Sequence, residues 1–137
     1  MDVFFDGSFR GGILRTCVCT PGKRPVVEFW KGADRVTSGH SEWLAALEAA
    51  KFAASQSVRR INLVGDCENI IRHMDPQRDD AAPCKVVENA KLADDARAIV
   101  DGLRARGTLV VWRHVVRDEN PAGVHLDKIW GRQDPLI

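Results

Sequence analysis

The sequence lacks any long run of apolar residues. A membrane-spanning helix needs about 20 consecutive apolar residues, and no run among the 137 residues approaches that length. The opening MDVFFD carries acid where a secretory signal would carry basic residues, and its apolar stretch is too short for such a signal. We therefore expect a soluble, cytoplasmic protein that does not bind a membrane.

Paired cysteines are also missing. The chain has 4 cysteines but no C-x-x-C motif, so the spacings typical of a zinc site are absent. Cys17 and Cys19 stand two apart in a predicted strand, which puts both on one face and does not suit a disulfide between them. We predict that these two residues, like Cys67 and Cys84, are ordinary buried or half-buried thiols.

A strong excess of positive charge is absent as well. The chain has 20 Lys and Arg residues against 19 Asp and Glu residues, for a formal net charge of +1. A domain that binds nucleic acid mainly through phosphate attraction is usually more basic. Any affinity for nucleic acid must therefore be modest, or must depend on a metal ion and a local groove.

The composition and patterning are those of one globular domain. The chain is 45% hydrophobic and 28% charged, with no internal repeat or long linker, so residues 1–137 are predicted to form a single domain. Apolar periodicity predicts strands over 3–5, 13–20, 25–35, 61–64 and 109–116, and helices over 42–54, 68–74, 84–106 and 121–130. The order β-β-β-α-β-α-α-β-α indicates an α/β fold with a mixed sheet flanked by helices.

Three acidic residues fall where these predicted elements begin or end. Asp6 ends the first strand, Asp66 ends the fourth, and Glu42 opens the first long helix. Strand ends in an open α/β sheet are where ligand sites gather. Three carboxylates brought together repel one another unless a cation joins them, and such oxygen ligands suit Mg²⁺ or Mn²⁺. Two such ions can activate a water and stabilise the leaving oxygen in phosphoryl transfer.

Each acid also has a simpler interpretation. Asp6 before Gly-Ser is a common turn, Asp66 after a glycine is typical of a loop, and Glu42 can be a first-turn acid favoured by the helix dipole. Taken singly, these interpretations are preferable. Taken together, the placement of all three acids at element ends favours a metal site.

Four segments carry further motifs in a fixed order: VFFDGSFRGG, SGHSEWLAALEAAKFA, INLVGDCENII and VVWRHVVRDENPAG. Together they resemble the type 1 ribonuclease H family across nearly the whole chain. The first resembles the family's opening strand with its Asp-Gly-Ser, and the second resembles the helix that bears the catalytic glutamate. The third is similar to the strand that ends in an aspartate, and the fourth to the last strand and following loop. The resemblance implies a ribonuclease H-like fold with a five-stranded mixed sheet whose first three strands are antiparallel.

The resemblance implies an endoribonuclease that hydrolyses the RNA strand of an RNA/DNA hybrid and leaves 5′-phosphate and 3′-hydroxyl ends. Asp6, Glu42 and Asp66 would then hold two divalent ions, Mg²⁺ or Mn²⁺, with Asp6 bridging them. Nothing in the sequence suggests an obligate oligomer, so we expect a monomer without a protein partner. Two alternatives stay open: a catalytically impaired module of the same fold that binds nucleic acid, and a nuclease that acts on a different nucleic acid.

The fourth acid of the family is missing. The family places an aspartate four residues after the loop asparagine, and this position is Val124 here. Asn120, at the start of the last helix, can offer its amide oxygen as a neutral ligand, whereas Asp127 restores the charge further along that helix. We expect Asn120 to be the fourth catalytic ligand, with weaker ion binding and a preference for Mn²⁺. Asp127 stays open as the ligand instead, and Asn120 as a pure helix cap.

The resemblance also implies a set of substrate contacts. Small polar groups would read the ribose 2′-hydroxyl that separates RNA from DNA, and basic side chains would contact phosphates. The expected substrate-binding residues are Gly7, Ser8, Arg10, Ser38, Gly39, His40, Cys67 and Arg117, with Lys128 as a further phosphate contact. Many members of the family carry an extra basic helix and loop that grip the substrate. We expect no such element here, because the corresponding stretch, residues 75–80, is acidic and too short. No histidine is assigned a catalytic role, because His114 falls inside the last predicted strand and His125 in the last helix.

Overall fold

The computed structural model describes residues 1–31, 38–75 and 87–133. Its sheet has five strands in the order β3-β2-β1-β4-β5. The strands are β1 (Asp2–Arg10), β2 (Ile13–Cys19), β3 (Val26–Lys31), β4 (Arg60–Gly65) and β5 (Leu109–His114). β2 is antiparallel to both β1 and β3, and β4 is parallel to both β1 and β5. The predicted α/β fold, a mixed sheet with three antiparallel leading strands, is confirmed.

Helices cover both faces of this sheet. They are α1 (Ser38–Ala54), α2 (Glu68–Met74), α3 (Val87–Ala105) and α4 (Pro121–Gln133), and a short 3₁₀ helix (Arg117–Glu119) precedes α4. α1 and α3 pack together on one face, and α4 packs on β1 and β2 from the other. None of the helices in the described ranges has both the length and the apolar character needed to cross a bilayer.

The first two strands form a hairpin joined by only two residues. Arg10 pairs with Ile13, and Gly11 and Gly12 between them have φ angles of 57° and 75°. Positive φ at both positions is typical of a type I′ turn, which matches the twist of the flanking strands and favours glycine. The hairpin pairs β1 with β2 as far as Arg10, well beyond the predicted strand over 3–5.

Several predicted element ends are wrong, and two of them concern the acidic residues. β1 continues through Asp6 because its residues pair with β2, so the Asp-Gly-Ser segment is strand and not a turn. α1 begins at Ser38, so Glu42 lies more than one turn inside the helix and does not open it. β5 ends earlier than predicted, at His114. The predicted ends over 32–35 and 84–86 lie outside the described residues.

Two apolar layers, one on each face of the sheet, hold the helices in place. On one face, Phe5 packs with the alanines of α1 and with Leu103 of α3. On the other face, Cys17 and Cys19 pack against Leu126 of α4. Both cysteines are buried free thiols, as predicted. Because side chains alternate along a strand, the residue after Phe5 points to the α4 face, and this residue is Asp6.

Candidate metal centre

Asp6 lies where β1 and β4 separate. The parallel ladder between them ends with Phe4 opposite Val64, and Asp66 follows Gly65, the last residue of β4. Openings of this kind beyond the ends of parallel strands are where α/β sheets bind ligands. Asp6 is fully buried and Asp66 is half-buried. The divergence of the two strands therefore brings these two carboxylates together at one opening.

Glu42 reaches this opening because Gly7 has no side chain. A Cβ atom on Gly7 would lie 2.1 Å from the backbone oxygen of Ser41, far inside van der Waals contact. The bare backbone of β1 lets α1 cross directly over it, and Glu42 follows Ser41 in α1. Gly7 is buried under α1 and allows this close packing, and its expected contact with substrate stays a prediction.

The three carboxylates form a compact group. Oxygen atoms of Asp6, Glu42 and Asp66 all lie within 4.8 Å of one another. Asp6 Oδ1 is buried and has no hydrogen-bond partner in the part of the chain that the structure describes. An unpaired buried carboxylate oxygen is costly unless a cation binds it. Hard oxygen donors grouped in this way suit Mg²⁺ or Mn²⁺, so the residues fit the divalent ion that the resemblance implies.

Crowding and burial raise the pKa of two of these groups. Burial, reinforced by the charge of Asp66, raises the pKa of Asp6 from an ordinary value of 3.8 to about 6. Burial, reinforced by the charge of Asp6, raises the pKa of Glu42 from 4.5 to about 10. Both shifts disfavour the ionised carboxylates of the metal-free protein. A divalent ion would reverse that preference, since it binds the deprotonated form.

These raised pKa values predict how the stability of the metal-free protein changes with pH. A carboxyl whose pKa is higher in the folded state stabilises the fold below its unfolded pKa, and this contribution is lost as pH rises through the folded pKa. Glu42→Gln, which mimics the protonated form, should therefore exceed the wild type in Tm by a margin that grows from pH 4.5 towards pH 10. Thermal melts in chelator across that range test this, and parallel curves for the two proteins would contradict it.

A guanidinium also lies within the centre. Arg117 Nη1 donates hydrogen bonds to Asp6 Oδ2 at 3.2 Å and to Asp66 Oδ2 at 3.3 Å. Its Nη2 donates to Asp127 Oδ1 at 3.0 Å. The sequence predicted Arg117 as a phosphate contact, and the structure brings it against the carboxylates themselves. Asp127, the open alternative for the fourth ligand, contacts this centre through Arg117.

Asn120 is fully buried at the start of α4. Its Nδ2 donates to the backbone oxygen of Phe5 at 2.9 Å, and its Oδ1 accepts from the backbone N–H of Ala122 at 3.2 Å. The first contact ties α4 to the residue before Asp6, and the second is a helix cap. Both amide atoms are thus used within the fold, which favours the cap interpretation of Asn120 over the metal-ligand one.

Asn120→Ala should therefore destabilise the protein whether or not metal is present. The loss of the cap and of the buried donor to Phe5 is expected to lower the free energy of unfolding by about 2–4 kcal/mol. Asn69→Ala, on an exposed position of α2, is the matched control, with an effect within about 0.5 kcal/mol. Denaturant unfolding in chelator and in Mg²⁺ measures both. A loss that occurs only in Mg²⁺ would instead make Asn120 a ligand.

The remaining predicted contacts lie around the centre. Ser8 follows Asp6 on the same face of β1, and its Oγ accepts a hydrogen bond from Trp130 Nε1 at 2.9 Å. Arg10, two residues further on, lies 5.4 Å from the ring centre of Trp130 and 3.8 Å from Asp127. Ser8 and Arg10 therefore continue the line of Asp6 along β1.

The predicted contacts from the helices are near the other two acids. Gly39 is exposed in the first turn of α1, and His40 is half-buried with its Nδ1 3.1 Å from Asn89 Oδ1. The side chain of Ser38 lies outside the described residues. Cys67 is half-buried, follows Asp66 directly and precedes α2.

Two residues near the centre lie elsewhere than the sequence predicts. His114 is the last residue of β5, opposite Gly65, and its Nε2 lies 3.3 Å from the backbone oxygen of Asp66. The predicted strand ran to residue 116, which placed this histidine inside it. Gly123, and not Val124, is the α4 residue against the carboxylates: a Cβ there would lie 3.2 Å from Asp6 Oδ2 and 3.3 Å from Asp66 Oδ2.

Solved structures with the same architecture are ribonucleases H. The ribonuclease H1 of the halophilic archaeon Halobacterium salinarum superposes with a TM-score of 0.68 at 18% identity, over 96% of this chain and 97% of that one. An N-terminal ribonuclease H domain from Mycobacterium tuberculosis, solved as a fusion with maltose-binding protein, gives 0.68 at 16% identity, over 91% and 93%. LC11-RNase H1, in complex with an RNA/DNA hybrid, gives 0.60 at 17% identity, over 94% and 98%.

These likenesses establish the fold. The chain has the ribonuclease H fold over nearly its whole length, as the sequence motifs predicted. No protein-family model and no curated protein sequence matches it.

Proposed function

We propose that this protein is a divalent-metal-dependent endoribonuclease that hydrolyses the RNA strand of RNA/DNA hybrids. The observation that carries the proposal is the group of three carboxylates within 4.8 Å, with a buried and unpaired oxygen on Asp6. Support comes from the fold, because one structure that shares it is of a ribonuclease H1 with an RNA/DNA hybrid. Cleavage would leave 5′-phosphate and 3′-hydroxyl ends.

Each residue of the centre has a distinct task in this proposal. Asp6, Glu42 and Asp66 would hold two divalent ions, which when bound would supply an activated water and charge stabilisation at the phosphate. Arg117 donates hydrogen bonds to phosphate oxygens, a task that suits a planar guanidinium.

Recognition of RNA would come from the groups around the three acids. Ser8, Gly39 and Cys67 offer small polar or backbone groups at the edges of the centre, and such groups can read a 2′-hydroxyl. With a formal net charge of only +1, the chain offers little general attraction for phosphate. Binding should therefore be modest and should strengthen when the ion is present.

The test is cleavage of three labelled duplexes of one sequence: RNA/DNA, RNA/RNA and DNA/DNA. We expect cutting of the hybrid alone, on its RNA strand, in Mg²⁺ or Mn²⁺ and not in chelator. Cutting of all three duplexes would point to a general nuclease of the same fold. Cutting that continues in chelator would contradict the metal-dependent mechanism.

A second candidate is a non-catalytic module that binds nucleic acid. One observation favours it: Arg117 already pairs with two of the three carboxylates, and α4 adds no acid there because it carries Gly123. This candidate predicts that the hybrid is bound but not cut with either ion. Gel-shift and cleavage measurements on the same samples separate the two.

A further inference from the structure

Arg117 occupies the side of the centre that faces α4. Its Nη1 lies within 3.3 Å of both Asp6 Oδ2 and Asp66 Oδ2. Asp6 Oδ1 is left buried and without a hydrogen-bond partner among the described residues. The carboxylate of Asp6 thus has one oxygen paired with a resident cation and one oxygen available to an ion.

Gly123 makes room for this arrangement. A Cβ atom there would lie 3.4 Å from Arg117 Nη1 as well as 3.2–3.3 Å from the two carboxylate oxygens. Any acidic side chain on this residue would have to extend into the space where Arg117 Nη1 meets Asp6 and Asp66. Beside Gly123, Arg117 therefore brings a positive charge to the position where a further acidic side chain would bring a negative one.

Asp127 holds the guanidinium in position from outside. Its Oδ1 accepts from Arg117 Nη2 at 3.0 Å, while Nη1 remains on the carboxylates. The aspartate is about half exposed, at 47%, whereas Asp6 is fully buried. A planar guanidinium tied at both ends is fixed in orientation, as in paired arginine–carboxylate contacts. Asp127 is accordingly a positioning residue for Arg117.

We propose that Arg117 is a built-in second cation, so that the centre binds a single divalent ion. The inference rests on the proposed metal-dependent function and changes its ion count from two to one. The placement of charge agrees with it: the guanidinium already offsets part of the negative charge where Asp6 and Asp66 meet, and a divalent ion has correspondingly less to neutralise there. A second divalent ion would have to displace Arg117 from Asp6 and Asp66 against the pull of Asp127.

The test is the number of Mn²⁺ ions bound per chain, counted by titration with free Mn²⁺ followed by electron paramagnetic resonance. The variants are Arg117→Met, which removes the guanidinium, and Arg60→Met, which removes an exposed one at the opposite end of β4. We expect one ion for the wild type and for Arg60→Met. Arg117→Met should bind a second ion, or bind the first roughly tenfold more tightly or better, because a unit positive charge has left its surroundings.

Asp127→Asn provides a second variant on an exposed side chain that the fold tolerates. It leaves the charge of Arg117 in place and removes a negative charge from its surroundings, so the variant should still bind one Mn²⁺, no more tightly than the wild type. Loss of that ion would make Asp127 a ligand and overturn the proposal. Two ions on the wild type, or unchanged count and affinity in Arg117→Met, would also overturn it and leave the proposed function standing. No ion on any of these proteins would instead overturn the proposed function itself.

Discussion

Asp6→Asn is expected to lower the rate of hybrid cleavage by about three orders of magnitude or more. Charge stabilisation by a bound ion contributes several kcal/mol at a transition state, and each 1.36 kcal/mol is a factor of ten in rate. Asp6 is the fully buried acid of the centre, and its Oδ1 is the oxygen left unpaired. A neutral amide there removes the charge that holds the ion. Single-turnover cleavage rates in saturating Mg²⁺ measure the effect.

The same variant should be more stable than the wild type in chelator. Burial and the charge of Asp66 raise the pKa of the Asp6 carboxyl from 3.8 to about 6 in the fold. Ionisation of this carboxyl therefore destabilises the metal-free wild type increasingly as pH rises through that range, and an amide avoids this loss. Asp2→Asn is the matched control, because Asp2 lies on the same strand, bonded to Asn62 and away from the other acids. We expect near wild-type cleavage from it. Retained cleavage in Asp6→Asn, or a lower Tm in chelator, would contradict this account of Asp6.

Gly7→Ala is expected to damage the fold and the centre together. The added Cβ would lie 2.1 Å from the backbone oxygen of Ser41 and 2.8 Å from the backbone nitrogen of Glu42. Because backbone atoms cannot turn aside as a flexible side chain can, α1 must move away from β1. We expect a loss of about 3 kcal/mol or more in the free energy of unfolding, at the upper end of overpacking effects.

The displacement also moves Glu42, so cleavage should fall by about a hundredfold even at temperatures where the variant is folded. Gly102→Ala is the control: no described atom lies within 4 Å of a Cβ there, and alanine in the interior of α3 should stabilise by about 0.5–1 kcal/mol. Denaturant unfolding and cleavage rates on both variants measure these effects. A Gly7→Ala protein with wild-type stability would show that α1 does not depend on the bare backbone of β1.

The sequence was sufficient for the architecture and for the three acids. Periodicity and glycine positions predicted the five strands in order, and the family resemblance predicted their pairing. The sequence did not show why the three acids come together. The turn signal Asp-Gly-Ser predicts that the first strand ends at Asp6, but pairing of β1 with β2 as far as Arg10 overrides that local preference. Asp6 meets Asp66 because β4 ends beside Asp6. β1 itself continues past this point.

Local motifs were least informative where contacts between distant segments decide a role. The position of Asn120 at a helix start predicts a metal ligand. In the fold, its Nδ2 donates a hydrogen bond to the backbone oxygen of Phe5, 115 residues away. The sequence predicts Arg117 as a phosphate contact, and only the fold shows that its guanidinium lies between Asp6 and Asp66. Val124 stands where the family has its fourth acid, yet its neighbour Gly123 is the residue that lies against the carboxylates.

The central claim is that the three carboxylates bind a divalent ion and use it to cut RNA in a hybrid. Its most direct test is a hybrid with different labels on its RNA and DNA strands, incubated with wild-type protein in chelator before Mg²⁺ or Mn²⁺ is added in excess. We predict that both strands stay intact in chelator, and that the RNA strand alone is cut once the ion is added. Intact RNA after addition of either ion, with the hybrid still bound, would contradict the claim and leave a binding module of the same fold.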